Sequence, residues 1–163
     1  MDAMSIYKIS NSFERMHLRF FAKMFVYLNY FLHNSYIPSS CQIGETSKFA
    51  YGGIGLVIHD NVRIGKGCII GQGITIGGRN EVKEVPVIED NVYIGAGSRI
   101  VGNVKIGHDS IIGTNAVVLN DIPPYSVAAG VPAKIIAKIT KKSFEEKYRY
   151  YNGPKNYSEE DSD

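Results

Sequence analysis

The stretch Ile58-His59-Asp60-Asn61-Val62-Arg63-Ile64-Gly65-Lys66-Gly67-Cys68-Ile69-Ile70-Gly71-Gln72-Gly73-Ile74-Thr75-Ile76-Gly77 decides the fold. Isoleucine stands at 58, 64, 70 and 76, then at 88, 94, 100, 106 and 112, always a multiple of six apart. Glycine usually follows it, at Gly65, Gly71, Gly77, Gly95, Gly107 and Gly113. Two places before it stands a small or β-branched residue in most hexads, as at Val62, Ile74, Val92, Ser98, Val104 and Ser110. A period of six contradicts the 3.6 of an amphipathic helix and is too short for a helical solenoid unit. It fits short parallel strands joined by tight turns, one hexad per side of a three-sided prism. Each coil turns its isoleucines inward and stacks on the next through strand ladders spaced about 4.8 Å.

Such hexapeptide repeats are the signature of a left-handed parallel β-helix, an exception to the right-handed crossover rule. The fold expected is therefore mainly β: a left-handed parallel β-helix behind an N-terminal α-helical segment. Three regions follow along the chain: a helical segment over 1–35, the β-helix over 36–140 with an excursion loop at 77–87, and a polar tail over 141–163. In the first, Phe13, Met16, Phe20, Met24, Leu28, Phe31 and Leu32 recur at steps of three and four, with Arg15, Arg19 and Lys23 between them. That pattern is one helix or two short ones with a broad apolar face. The expected role is packing against the prism or a neighbouring subunit, with interfacial membrane attachment as the alternative. The run from Phe20 to Leu32 is interrupted by Lys23 and Asn29 and is too short to span a bilayer comfortably. The tail from Lys141 reads as a short helix and then disorder.

Composition narrows the function classes. The 163 residues make one domain with a real core, and 44% hydrophobic with 21% charged residues describes an ordinary soluble protein. A net charge of +2 from scattered basic residues argues against nucleic acid as a partner. Cys41 and Cys68 have no metal or redox spacing, so idle thiols in a reducing cytoplasm are expected, and no metal. The N-terminus lacks the pattern of a signal peptide.

Two interruptions break the hexads. The phase slips once between Ile43 and Ile58, across Tyr51-Gly52-Gly53-Ile54-Gly55. The loop from Gly77 to Pro86 then leaves the pattern, and the phase resumes at Ile88. Residues about eighteen apart, one coil, are expected to stack at one corner. On that count His59 shares a column with Gly77, Gly95 and Gly113, beside a column of Asp60, Gly78, Ala96 and Thr114. His108 falls in another column with Gln72 and Asp90. His59 thus shares a corner with small residues and with the mouth of a polar loop, and it is the candidate general base. The loop contributes Arg79, Asn80, Glu81 and Glu84 as candidate acceptor-binding groups. No carboxylate is identified to orient His59: Asp60 is adjacent, but neighbours in a strand point to opposite faces. His17 and His33 belong to the helical segment. No Ser-His-Asp order or Walker-type loop is present, and Gly71-Gln72-Gly73 leads into a hexad rather than a helix.

Ile94-Gly95-Ala96-Gly97-Ser98, Ile100-Val101-Gly102-Asn103 and Ala128-Ala129-Gly130-Val131-Pro132-Ala133-Lys134 resemble the hexapeptide acyltransferases of the serine O-acetyltransferase type, over about Tyr36 to Ile139. The resemblance implies acetyl-CoA as donor, a homotrimer, and active sites between neighbouring prisms. It implies that Gly78, Ala96 and Thr114 lie along the pantetheine arm, Leu119 and Asn120 farther along it, and Lys134 and Lys138 at the CoA phosphates. The branch's catalytic histidine aligns near Gly52 and a second one near Val85, and neither is a histidine here. Tyr51 to His59 is instead similar to a branch of polysaccharide-biosynthesis O-acetyltransferases. The reading is an enzyme that moves acetyl from acetyl-CoA to a hydroxyl of a sugar or polysaccharide precursor, with His59 as base. The alternatives are L-serine as acceptor and a non-catalytic trimeric scaffold.

Overall fold

A computed structural model of the chain describes residues 1–79, 84–144 and 146. Most hexads fold as two- or three-residue strands whose second residue, usually isoleucine, points inward. They are β1 Gln42–Ile43, β2 Lys48–Phe49, β3 Val57–Ile58, β4 Arg63–Ile64, β5 Ile69–Ile70, β6 Thr75–Gly77 and β7 Val87–Ile88. β8 Tyr93–Ile94, β9 Arg99–Val101, β10 Lys105–Ile106, β11 Ile111–Ile112 and β12 Val117–Val118 follow, and β13 Ser126–Gly130 with β14 Ala133–Lys138 closes the set. They stack into three sheets, a parallel β-solenoid: β1-β4-β7-β10, β14-β13-β11-β8-β5-β2, and β12-β9-β6-β3. Every pairing is parallel except the hairpin of β13 with β14.

The core is the isoleucine ladder. Ile58, Ile70, Ile76, Ile88, Ile94, Ile100, Ile106 and Ile112 are all buried. The smaller residues two places earlier line the same interior, from Val62 and Cys68 to Ser98, Ser110 and Ala116. Ser98 is tolerated there because its hydroxyl donates to carbonyls of the corner backbone, Gly95 at 2.6 Å and Gly113 at 3.0 Å.

The register corrects the corner expected from counting. Ile58 pairs with Ile76, eighteen residues on, but Ile76 pairs with Ile100 and Ile70 with Ile94, twenty-four on. The excursion loop lies inside that coil and lengthens it by one hexad's worth of chain. A six-residue addition keeps the isoleucine phase while moving every later residue one side round the prism. Gly77 therefore sits opposite Val101, and the β9–β12 register continues the column to Leu119. Gly95 and Gly113 belong with Gly71 instead, and Ala96 and Thr114 with Gln72. His108 stacks with Asp90 and Lys66, not Gln72.

Two helices precede the prism. α1, Ala3–Arg15, starts on Asp2, whose Oδ1 accepts from the Ser5 amide at 2.8 Å; the Ser5 side chain, and then this amide, hold its carboxyl below the usual range. Ala3, Met4 and Tyr7 enter the prism core, and the Tyr7 hydroxyl donates to the Cys41 carbonyl at 2.8 Å. α1 thereby closes one end of the solenoid. α2, Arg19–His33, packs against α1 through Ala22, Val26 and Asn29. Of the tail expected to be helical and then disordered, residues 145 and 147–163 lie outside the described residues, as do Asn80, Glu81, Val82 and Lys83 in the loop.

Candidate active site

The prism has three corners, each a stack of turns between the same two sheets. His59 stands at the corner that follows the third sheet, where the excursion loop also leaves and returns. Its amide extends the ladder by donating to the Ile76 carbonyl at 2.9 Å. The chain then turns, closed by the Val62 amide on the His59 carbonyl at 3.1 Å. Because this is a turn and no longer a strand, Asp60 is not forced to the opposite face. Its Oδ1 lies 2.7 Å from His59 Nδ1, which corrects the expectation that no carboxylate orients the ring. The Asn61 amide also points at Nδ1, at 3.2 Å. One nitrogen cannot donate and accept at once; the shorter, charge-assisted contact to Asp60 favours a proton on Nδ1. That tautomer leaves the Nε2 lone pair free to take a proton.

The ring is about half exposed, on a groove of about 370 Å³ lined also by Tyr36, Pro38, Val57, Thr75 and Gly77. Glycine keeps one wall low: a Cβ at Gly77 would approach His59 Cβ at 3.8 Å, and one at Gly78 would meet nothing within 4 Å. Leu119 and Asn120 stand on the same corner at a later level. Arg79 lies beside Gly102, whose added Cβ would meet Arg79 Cβ at 3.4 Å, and Glu84 is exposed at the loop's return. Asn80 and Glu81 fall outside the described residues.

Ala96 and Thr114 occupy a different corner, after the second sheet. Its turns are linked by amides donating to the level before, Gly97 to Gln72 at 2.9 Å and Asn115 to Ala96 at 2.8 Å. The stacking is close enough to demand glycine: a Cβ at Gly71 would lie 2.6 Å from the Ala96 nitrogen, and one at Gly95 2.6 Å from the Thr114 nitrogen. Gly71 and Gly95 are thereby buried between levels, with Ala96 half-buried and Thr114 exposed on the outer edge of the corner. Lys134, opposite Ala129 in the closing hairpin, stands at its foot, since Ala129 packs directly on Gly113. Lys138 is at the other end of β14, with its ammonium donating to Ser126 Oγ at 2.9 Å. At the head of this corner a 3-10 turn, Ala50–Gly52, holds Tyr51 at φ 51° and 77% exposed. Reading the sequence missed Tyr51. The only signal was its place before Gly52-Gly53, which also adopt positive φ.

His108 marks the third corner and has its own carboxylate, Asp109 Oδ2, 2.7 Å from Nδ1. A histidine–aspartate contact is therefore not particular to His59. The His108 ring packs edge-on against Tyr125 at 5.1 Å, and the Glu89 carboxylate accepts from its backbone amide at 2.9 Å. That amide and Lys105, 2.7 Å away, hold Glu89 below its ordinary range, Lys105 contributing more. The groove here is larger, about 650 Å³, and Glu89, Asp90 and Asp109 line it together with Arg63 and His108. The thiols are poor nucleophiles: burial pushes Cys41 up to about 12 and Cys68 up to about 11. Among the described residues no group of three or more His, Cys, Asp or Glu is placed to hold a metal ion.

With this geometry in hand, comparison with known proteins is specific. The family described as bacterial transferase hexapeptide (six repeats) matches residues 86–120. A serine acetyltransferase of Helicobacter pylori is 33% identical over 140 residues, covering 85% of this chain and 81% of the relative. One from Staphylococcus xylosus is 42% identical over 102 residues, 61% of this chain and 47% of the relative. Among solved structures, soybean serine acetyltransferase apoenzyme aligns with TM-score 0.77 at 31% identity, over 82% of this chain and 56% of that one. A serine acetyltransferase in complex with CoA aligns with TM-score 0.75 at 32% identity, over 82% and 55%. The chain spans about half the length of several curated relatives it matches.

Proposed function

The chain belongs to the hexapeptide-repeat acyltransferase family, and from that premise we propose that it transfers acetyl from acetyl-CoA to a hydroxyl. L-serine is the acceptor that its relatives' names support best. The observation that carries the reading is the His59 Nδ1–Asp60 Oδ1 contact of 2.7 Å on an open groove beside the loop. Asp60 holds the Nδ1 proton. Nε2 takes the acceptor hydroxyl's proton as its oxygen attacks the thioester carbonyl. When the carbon–sulfur bond breaks, the imidazolium returns that proton to the CoA sulfur. No covalent acyl-enzyme is needed. His59 supplies the base and Asp60 the orientation.

The donor fits the other corner. The small side chains of Ala96 and Thr114 on its outer edge let a thin chain with amide groups approach closely, and Lys134 at the foot offers a cation to a phosphate. Gly78, Leu119 and Asn120 share the His59 corner and border the acceptor side; Arg79, Asn80, Glu81 and Glu84 in the loop are the groups nearest an acceptor in sequence. Within one prism the two corners are different edges. A site that uses both therefore needs a second copy, whose Thr114 corner faces the first chain's His59, and a closed trimer provides three such contacts.

One observation favours a sugar hydroxyl as a second reading. At the positions where serine-specific relatives are expected to carry histidine, Gly52 is a turn residue at φ 73° and Val85 packs on the core. Neither can exchange a proton. Measuring CoA thiol release from acetyl-CoA with L-serine and with sugar nucleotides tests all of this. Release with L-serine supports the first reading and release with a sugar alone supports the second. Absence of release with every acceptor, while CoA binds, leaves a scaffold.

A further inference from the structure

We propose that the outer face of α2 docks on an anionic lipid surface. α2 buries Ala22, Val26 and Asn29, and Asn29 Nδ2 donates to the Ala3 carbonyl of α1 at 3.0 Å. Those small residues, at steps of four and three, leave the other side of the helix to solvent. Phe20, Met24, Tyr27 and Phe31 stand there at steps of four, three and four, and they are 77%, 50%, 59% and 81% exposed. Leu28 and Leu32 widen the stripe. Scattered exposed apolar residues are ordinary on a soluble protein, but a stripe along a whole helix is not. Phe13 stacks on Phe25 and tilts against Phe21, both at 5.6 Å, and Phe21 meets Phe20 edge-on at 5.5 Å. These contacts fix the stripe's geometry.

Charge selects the occupant. α2 carries Arg19 and Lys23 and no acid, and Arg15 and His17 stand just before it. The neighbouring acid, Glu14, accepts from the Ser39 hydroxyl at 2.9 Å and pairs with Arg19 at 3.6 Å. Asp60 shares a groove with Arg19 and Lys23, so Arg15 and Lys23 are the cations in excess of the Arg19–Glu14 pair. A two-fold contact pairs a patch with itself and would set cations against cations, and a neighbouring copy in a trimer is the occupant that the mass measurement below separates. Anionic headgroups meet the same cations with opposite charge, while the basic stems reach outward past the buried apolar face. The docking is in the plane of the surface. No described helix is long and apolar enough to cross a membrane, and the 15 residues of α2 rise about 22 Å against a hydrocarbon core of about 30 Å.

The test is sedimentation of the full chain with vesicles of phosphatidylcholine alone and of phosphatidylcholine with phosphatidylglycerol. The expected result is binding to the anionic vesicles that weakens as salt rises. Phe20→Glu with Phe31→Glu abolishes it, and Arg19→Glu with Lys23→Glu lowers affinity at least about tenfold. All four side chains are exposed, so melting temperature and sedimentation mass stay at wild-type values in both variants. The proposal falls if the full chain stays in the supernatant with anionic vesicles, or if either double variant binds as wild type does. It also falls if Phe20→Glu with Phe31→Glu lowers the mass of the assembly, because the face is then covered by a second copy.

Discussion

The His59 corner and the Thr114 corner are built from the same hexads on the same isoleucine ladder, yet they offer opposite chemistry. At the first, a side chain replaces the usual glycine and the chain runs out into a loop. At the second, Gly71 and Gly95 let successive turns stack in contact, and the small residues Ala96 and Thr114 are left on the edge. One corner can move a proton; the other can hold a long, thin ligand. The proposed transfer needs both. The difference teaches that a regular solenoid acquires function where its regularity is broken on one edge and strictly kept on another.

The largest expected effect comes from removing the base. His59→Ala should lower turnover about 10²–10⁴-fold, the range for general-base catalysis. Its melting temperature should hardly move, because the side chain is 43% exposed and the stacked residue is already Gly77. His108→Ala, which loses an equally short carboxylate contact, should stay active; equal losses in both variants would erase the distinction between the corners.

Mixing tests whether the corners meet between chains. Thr114→Trp should fill the second corner and be inactive by itself. In the closed trimer proposed above, random mixing of equal amounts of Thr114→Trp and His59→Ala chains should recover about one quarter of wild-type sites, because a shared site needs the intact corner from each. No recovery would put the whole site within one prism.

Lys134→Glu should weaken CoA binding by about 1–3 kcal/mol, the scale of a charge-assisted contact, as read by calorimetry. Lys138→Glu should do less, since that ammonium is already held by Ser126 at the far end of β14. Equal effects would move the phosphates away from the foot of the Thr114 corner.

The smallest effect concerns Tyr51, held at φ 51° where L-residues other than asparagine and aspartate are uncommon. Tyr51→Asn should leave stability unchanged or raise it by about 0.5–1 kcal/mol in thermal or urea unfolding. If turnover falls in that variant while stability rises, the tyrosine is kept in its strained turn for the reaction.

Much was legible because side-chain periodicity is local physics. Isoleucine every sixth residue buries only if the chain turns after each hexad, so the strands, the core and the parallel stacking all follow from spacing. The glycines after the isoleucines were readable as close-approach points for the same reason. His59 stood out as the one histidine in a slot that usually holds glycine beside a loop.

The sequence by itself determined the solenoid, its core, the helical start and the short list of residues able to carry chemistry. The tertiary structure decided which of them share a corner. Counting in sixes is blind to an insertion of one hexad's length, so the loop from Gly77 moved Ala96 and Thr114 away from His59 without disturbing the repeat. It also decided that Asp60 reaches His59, because a turn frees neighbouring side chains from the alternation that a strand imposes. Periodicity reports which side of the chain faces the core; only the register of strands far apart in sequence reports what stands next to what.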